Sequence, residues 1–117
     1  PPAEPPPRPA PAGPAAPAAW DGTAGELAAL YLADLKGRAA ANTYRKTEYV
    51  VRVALAARPP GRPAPLADGP ARLLTPAAVT AAVRAVPAWG PTTRSDAALR
   101  VRGCVTWAVA NGLLAAD

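Results

Sequence analysis

Residues 42–57 read NTYRKTEYVVRVALAA, and the spacing within this stretch decides the fold. Thr47, Val50, Val51, Ala54 and Leu55 recur at intervals of three, one, three and one, the interval of one helical face rather than the alternation of a strand. At 100° per residue, Arg45, Tyr49 and Arg52 fall on the opposite face, with Lys46 beside them. The stretch therefore predicts an amphipathic α-helix, capped by Asn42 or Thr43 and ended near residue 57 by Pro59-Pro60.

Working outward, the same period recurs on both sides. Upstream, Thr23-Ala-Gly-Glu26 has the spacing of a capping box. It opens a helix over 24–36 whose Leu27, Leu30, Tyr31 and Leu35 form one stripe, with Gly37 suited to a left-handed cap. Downstream, residues 58–72 shift to Pro, Gly and Ala around an isolated Leu66, which reads as a long surface loop with no element of its own. Leu74-Thr75-Pro76 then opens a short third helix over 76–85, with Thr at the cap and Pro at the first helical position. Val79, Ala82, Val83 and Val86 give it a buried face, and Pro87 stops it before Trp89-Gly90. Pro91-Thr92-Thr93-Arg94-Ser95-Asp96 opens the last helix, with Thr93 and Asp96 spaced for a cap and an acidic first turn. This helix runs to about residue 110, burying Ala97, Val101, Cys104, Val105 and Ala108, and closes at Asn111-Gly112. No segment alternates at period two, so the reading is all-α: a four-helix bundle cored by Leu, Val, Ala, Trp and Tyr.

Composition bounds what such a bundle can do. The chain has 117 residues and 17 prolines, nine of them within residues 1–19. That segment lacks the large apolar groups needed to offset ordering entropy and reads as a disordered Pro/Ala-rich tail, leaving residues 20–117 as the folded domain. The net charge is +5 over the whole chain and stays +5 without the tail, so the basicity belongs to the domain. Eleven Arg against two Lys is read first as the drift of a GC-rich genome and second as a pointer to a polyanionic partner. With no His, no Met and a single Cys, the chain lacks the material for imidazole catalysis, Cys-rich zinc sites or an internal disulfide. No cofactor, metal, small-molecule substrate or membrane is implied, and a cytoplasmic location is expected.

The chemistry-bearing residues are basic and aromatic. Arg45, Tyr49 and Arg52 with Lys46 suit phosphate contact, because Arg carries a permanent charge and a donor fork and the phenol also donates. The same stripe also reads as a solvated face with a Glu48–Arg52 pair worth a few tenths of a kcal/mol. Thr92, Thr93 and Arg94 stand at a helix N-terminus, where free amides favour phosphate; caps are the plainer reading of the two Thr. Arg102 lies opposite the core face of the last helix, and Arg100 lies at the rim, placed for an ion pair. Tyr31 and Tyr44 read as core-edge aromatics, and Cys104 as a small buried hydrophobe. No phenol has an acid and a base near it, so no catalytic group is assigned.

The order of the pieces carries a resemblance. Asn42-Thr-Tyr-Arg-Lys-Thr-Glu-Tyr49, a long loop, Leu74-Thr75-Pro76, Gly90-Pro-Thr-Thr-Arg94, and Val105-Thr-Trp-Ala-Val-Ala-Asn-Gly-Leu-Leu114 together resemble the N-terminal core-binding domain of tyrosine recombinases, the phage integrase family. The resemblance spans residues 23–117 and is most specific at Trp107-Ala108 and Asn111-Gly112-Leu113-Leu114. It implies a SAM-like four-helix domain that grips one face of a recombination site in double-stranded DNA, alongside other protomers at the nucleoid. The catalytic Tyr, Arg, Lys and His would belong to a C-terminal domain absent from this chain, so the chain itself would not be an enzyme. The positions that match the family's DNA contacts are Thr43, Arg45, Lys46, Tyr49, Thr92, Thr93 and Arg94; Arg52 and Arg102 join them on the helical wheel alone. The Pro-rich loop and the tail match nothing in the family pattern. The alternative from another class is a helical protein–protein interaction module, which could scatter its charges rather than gather them.

Overall fold

The computed structural model describes residues 20–115, which places the Pro/Ala-rich segment 1–19 outside the described residues. Four helices follow in order: α1 (Ala24–Lys36), α2 (Ala41–Ala56), α3 (Pro76–Arg84) and α4 (Pro91–Ala110). They form an all-α bundle with no strand among the described residues.

The start of α1 is fixed by the expected reciprocal cap. Thr23 Oγ1 accepts from the Glu26 amide at 3.0 Å, and Glu26 Oε1 accepts from the Thr23 amide at 2.8 Å. Its end differs from expectation, because Gly37 is right-handed at φ −83°. The chain enters α2 within a few residues, and a tightened right-handed turn already satisfies the last carbonyls: Arg38 and Ala39 both donate to Leu35 O. The left-handed closure appears instead after α4. There Gly112 has φ +74°, and Leu113 donates to Ala108 O at 2.8 Å while Gly112 donates to Val109 O, the bonding of a Schellman motif.

Two expected caps are absent. α2 begins two to three residues early, with Ala40 at its N-cap and no side-chain cap, so Asn42 and Thr43 lie inside the first turn. Asn42 Oδ1 accepts from Arg45 Nη2 at 2.8 Å rather than from the backbone. α4 begins after Gly90, which places Thr93 within the helix and Asp96 beyond the first turn. α3 keeps the expected start, its Ala78 amide donating to Thr75 Oγ1 at 3.1 Å.

The loop after α2 is more ordered than its composition predicts. It contains two 3₁₀ turns, Leu66–Asp68 and Ala71–Leu73, and folds back over the start of α1. Leu66 is only 2% exposed, while Ala24 donates to Gly69 O and Ala71 donates to Gly22 O. A lone leucine has no period to reveal it, and prolines restrict the unfolded chain, which lowers the entropy lost when such a segment docks.

The core is built from short side chains. Ala24, Val51, Ala54, Ala97, Cys104 and Ala108 are among its most buried members, with Leu27, Leu55 and Val79 as the larger ones. Leu30, expected in the α1 stripe, is 46% exposed, and Leu32 takes its place inside. The wheel explains the exchange: α1 is covered by α2 on one side and by the 3₁₀ turns and α4 on others, which rotates its buried arc past Leu30. Trp107 is half-buried against Tyr31, with ring centroids 5.7 Å apart and planes tilted by 58°.

Leu55→Ala is expected to lower unfolding free energy by about 2–5 kcal/mol, as truncation of a buried Leu does, whereas Leu30→Ala should stay within about 0.5 kcal/mol; urea unfolding of both variants checks the rotated face. The core also imposes a pH dependence. Burial pushes the Cys104 thiol up to about 12 from its ordinary 9.0. Burial and the adjacent Cys104 also raise the Tyr31 phenol, against the opposing pull of Arg38 and Arg100. Both groups hold their protons longer in the fold than in the unfolded chain, so the stability they contribute is intact below about pH 9 and is lost as pH rises towards 12. Urea midpoints from about pH 9 upward should therefore fall, and fall less steeply in Cys104→Ala.

Candidate nucleic-acid interface

The faces of α2 and α4 that could meet a ligand are set by one polar seam. Arg100 Nη1 donates to Thr47 Oγ1 at 2.6 Å, and Arg100 Nε donates to Asp96 Oδ2 at 2.9 Å. Thr47 is 3% exposed and is the buried polar residue of the core, so its hydroxyl requires this partner. Asp96 also faces Lys46 Nζ at 3.9 Å. The seam thus lays the first half of α2 beside the first half of α4. Arg100 is the rim ion-pairing residue that its position suggested.

With Thr47, Val50, Val51, Ala54 and Leu55 turned inward, the opposite side of α2 is fixed as solvent-facing. Arg45, Tyr49 and Arg52 lie exposed on it with Lys46 at its edge, while Thr43, one turn before Thr47, is exposed at the start of the helix. Tyr49 is 59% exposed, unusual for so large an aromatic group, and it stands one helical turn from Arg45 and from Arg52. Arg52 leans towards Glu48 at 3.6 Å, the i, i+4 pair that the spacing suggested. This exposed pair constrains Arg52 weakly and leaves its guanidinium available to a stronger anion.

On α4, Thr92 and Thr93 are exposed in the first turn, and Gly90 supplies no side-chain cap to the amides there. Arg102 is exposed two turns further on, next in the outward stripe to Leu99, and takes part in no ion pair among the described residues. Arg94 departs from the group. It turns across to α3, where its Nη2 donates to Arg84 O at 3.4 Å and its Nε is buried without a partner. Eight of the nine expected residues therefore lie on the outer surfaces of α2 and α4, and the ninth lies in a cleft between α3 and α4.

Sequence reasoning missed Arg84, which lines that cleft. A basic residue in the last turn of a helix reads as a complement to the helix dipole, so nothing in the spacing marks it out. It also missed a groove of about 590 Å³ between α1 and α2, lined by Ala28, Ala29, Leu32 and Ala33 and bordered by Lys36 and Arg52. Among the described residues, no group of three or more His, Cys, Asp or Glu could hold a metal ion, and no helix is long and apolar enough to cross a membrane. No family model, no curated protein and no solved structure matches this chain.

The two classes of arginine are separable by stability. Arg100→Ala should destabilise the fold by about 1–3 kcal/mol, since it strips a charged partner from the buried Thr47 hydroxyl, while Arg45→Ala should move thermal unfolding by no more than about 0.5 kcal/mol. Equal effects of the two substitutions would remove the seam from its structural role.

Proposed function

We propose that this chain is a double-stranded DNA-binding module, the core-binding part of a tyrosine recombinase, which grips a recombination site beside other protomers while bond chemistry belongs to a separate catalytic domain. The observation that carries the reading is the exposed stripe of Arg45, Tyr49 and Arg52 with Lys46 on α2, which the Lys46–Asp96 pair joins to the first turns of α4, where Thr92 and Thr93 are exposed. The net charge of +5 supports it, as does the resemblance of residues 23–117 to that family.

In this reading affinity comes first from cations on phosphates, with release of the counterions that coat the duplex. Arg45 and Arg52 lie two turns apart on one face and offer their forks to phosphates of one strand. Thr92 and Thr93 donate hydroxyl and amide hydrogens at the start of α4, where the helix dipole favours an anion. Tyr49 lies between the two arginines and packs its ring on the sugar edge, its phenol free to donate. These contacts set position and register; sequence preference requires side chains to reach base edges in the groove, for which Arg45 and Arg102 have the length and the donors.

The protein-interaction alternative draws on the exposed Leu30 and Leu99, which a nucleic-acid partner would not need to cover. Fluorescence anisotropy of the chain with mixed-sequence duplex DNA across a salt series separates the two. Under the DNA reading, log affinity falls linearly with log salt, and Arg45→Gln with Arg52→Gln flattens the slope by about 2, at roughly 0.9 per phosphate. An unchanged slope in that folded double variant removes α2 from the interface, and no binding at low salt favours the protein partner.

A further inference from the structure

The cleft between α3 and α4 gathers positive charge with nothing to balance it. Thr80 and Arg84 stand on one wall and Arg94 and Ser95 on the other, with Val83 and Ala98 supplying apolar surface, around a volume of about 340 Å³. No carboxylate lines it, and Asp96, the acidic residue nearest in sequence to Arg94, is engaged elsewhere by Arg100 and Lys46. Arg94 is the one place among the described residues where a buried side-chain nitrogen has no hydrogen-bond partner. Its only bond is to the Arg84 carbonyl at 3.4 Å, the weak end of the range for an N–H donor. The Arg84 side chain takes part in no ion pair among the described residues.

These facts define the missing partner by its chemistry. It must accept hydrogen bonds, because the Arg94 Nε–H is buried without an acceptor and its guanidinium holds a single long bond. It must be negative, because two permanent cations face one small volume without a counter-charge. Its acceptor oxygens must also point in divergent directions, since two guanidinium groups and the hydroxyls of Thr80 and Ser95 line the cleft from two helices. A carboxylate offers two oxygens in one plane and suits one arginine fork; a phosphate is tetrahedral, with two non-bridging oxygens in a diester and four in the free ion, and can be met from two walls at once.

We infer that the α3–α4 cleft binds a phosphate group, held between the guanidinium groups of Arg84 and Arg94 with Thr80 and Ser95 also donating to its oxygens. Where the phosphate is a DNA phosphodiester, this rests on the DNA reading above and extends the interface from α2 and α4 onto α3. Inorganic phosphate is the other source of the same chemistry.

The test follows the Arg94 Nε–Hε resonance of the full chain by NMR while inorganic phosphate, and separately duplex DNA, is titrated at constant chloride-balanced ionic strength. Phosphate is expected to shift that resonance, and Arg84→Gln, an exposed change that leaves the helix intact, to weaken the titration about tenfold. With duplex, the same variant should flatten the salt slope by about 0.9. Thr80→Val, with its charge untouched, should weaken phosphate binding by a smaller factor. An Arg94 resonance that neither titrant moves overturns the inference. If the wild-type chain binds duplex while that resonance stays still, the cleft proposal falls and the DNA reading stands. If phosphate shifts it but no duplex is bound, the cleft stands with free phosphate as its ligand and the DNA reading falls.

Discussion

The arrangement of this bundle turns on a single guanidinium. Arg100 satisfies the buried Thr47 hydroxyl and binds Asp96, joining α2 to α4 at a defined register. The need for such a bond comes from the core, much of which is Ala and Val with short, smooth side chains. Surfaces of that kind let helices approach closely, but they interlock weakly, since neighbouring registers bury similar apolar area. A directional, charge-assisted bond to a buried hydroxyl distinguishes one register from the next. That register sets how the exposed residues of α2 and α4 are disposed about the seam.

Once the seam is made, the arginines divide by what they touch. Arg100 and Arg38 are each bound to a carboxylate four positions back in the chain, Asp96 and Asp34. Arg45, Arg52 and Arg102 project outward, with at most an Asn or a solvent-screened Glu nearby. Arg84 and Arg94 face a shared cleft without an acid. A bias towards Arg that drifted in from base composition would scatter these groups without regard to partners. On α2, Lys46 faces Asp96 and Arg52 faces Glu48, while Arg45 has only the Asn42 amide oxygen beside it.

Much of this was legible in the sequence because it follows from local rules. The four helices, the Thr23 and Thr75 caps, the Asn111-Gly112 stop and the inward face of α2 each follow from period or from an orphan amide that a neighbouring side chain must satisfy. The outward placement of Arg45, Tyr49 and Arg52 follows from the same wheel. The sites where expectation and structure part, Leu30, the missing caps of α2 and α4, and the docked loop at Leu66, share a cause. In each, packing against a distant element outweighed a preference of only a few tenths of a kcal/mol to about 1 kcal/mol.

The sequence alone therefore determined the class of fold, the helix count and the face that each of the well-patterned helices buries, since hydrophobic periodicity is a property of neighbours in the chain. Only the tertiary structure decided that Arg100 reaches Thr47 across 53 positions, that Arg94 turns away from the other expected contacts, and that Arg84 joins it ten positions back along the chain. Those pairings depend on the angle and register at which separate helices meet. That geometry is set by close packing and by one buried hydroxyl, and neither leaves a periodic trace in the sequence.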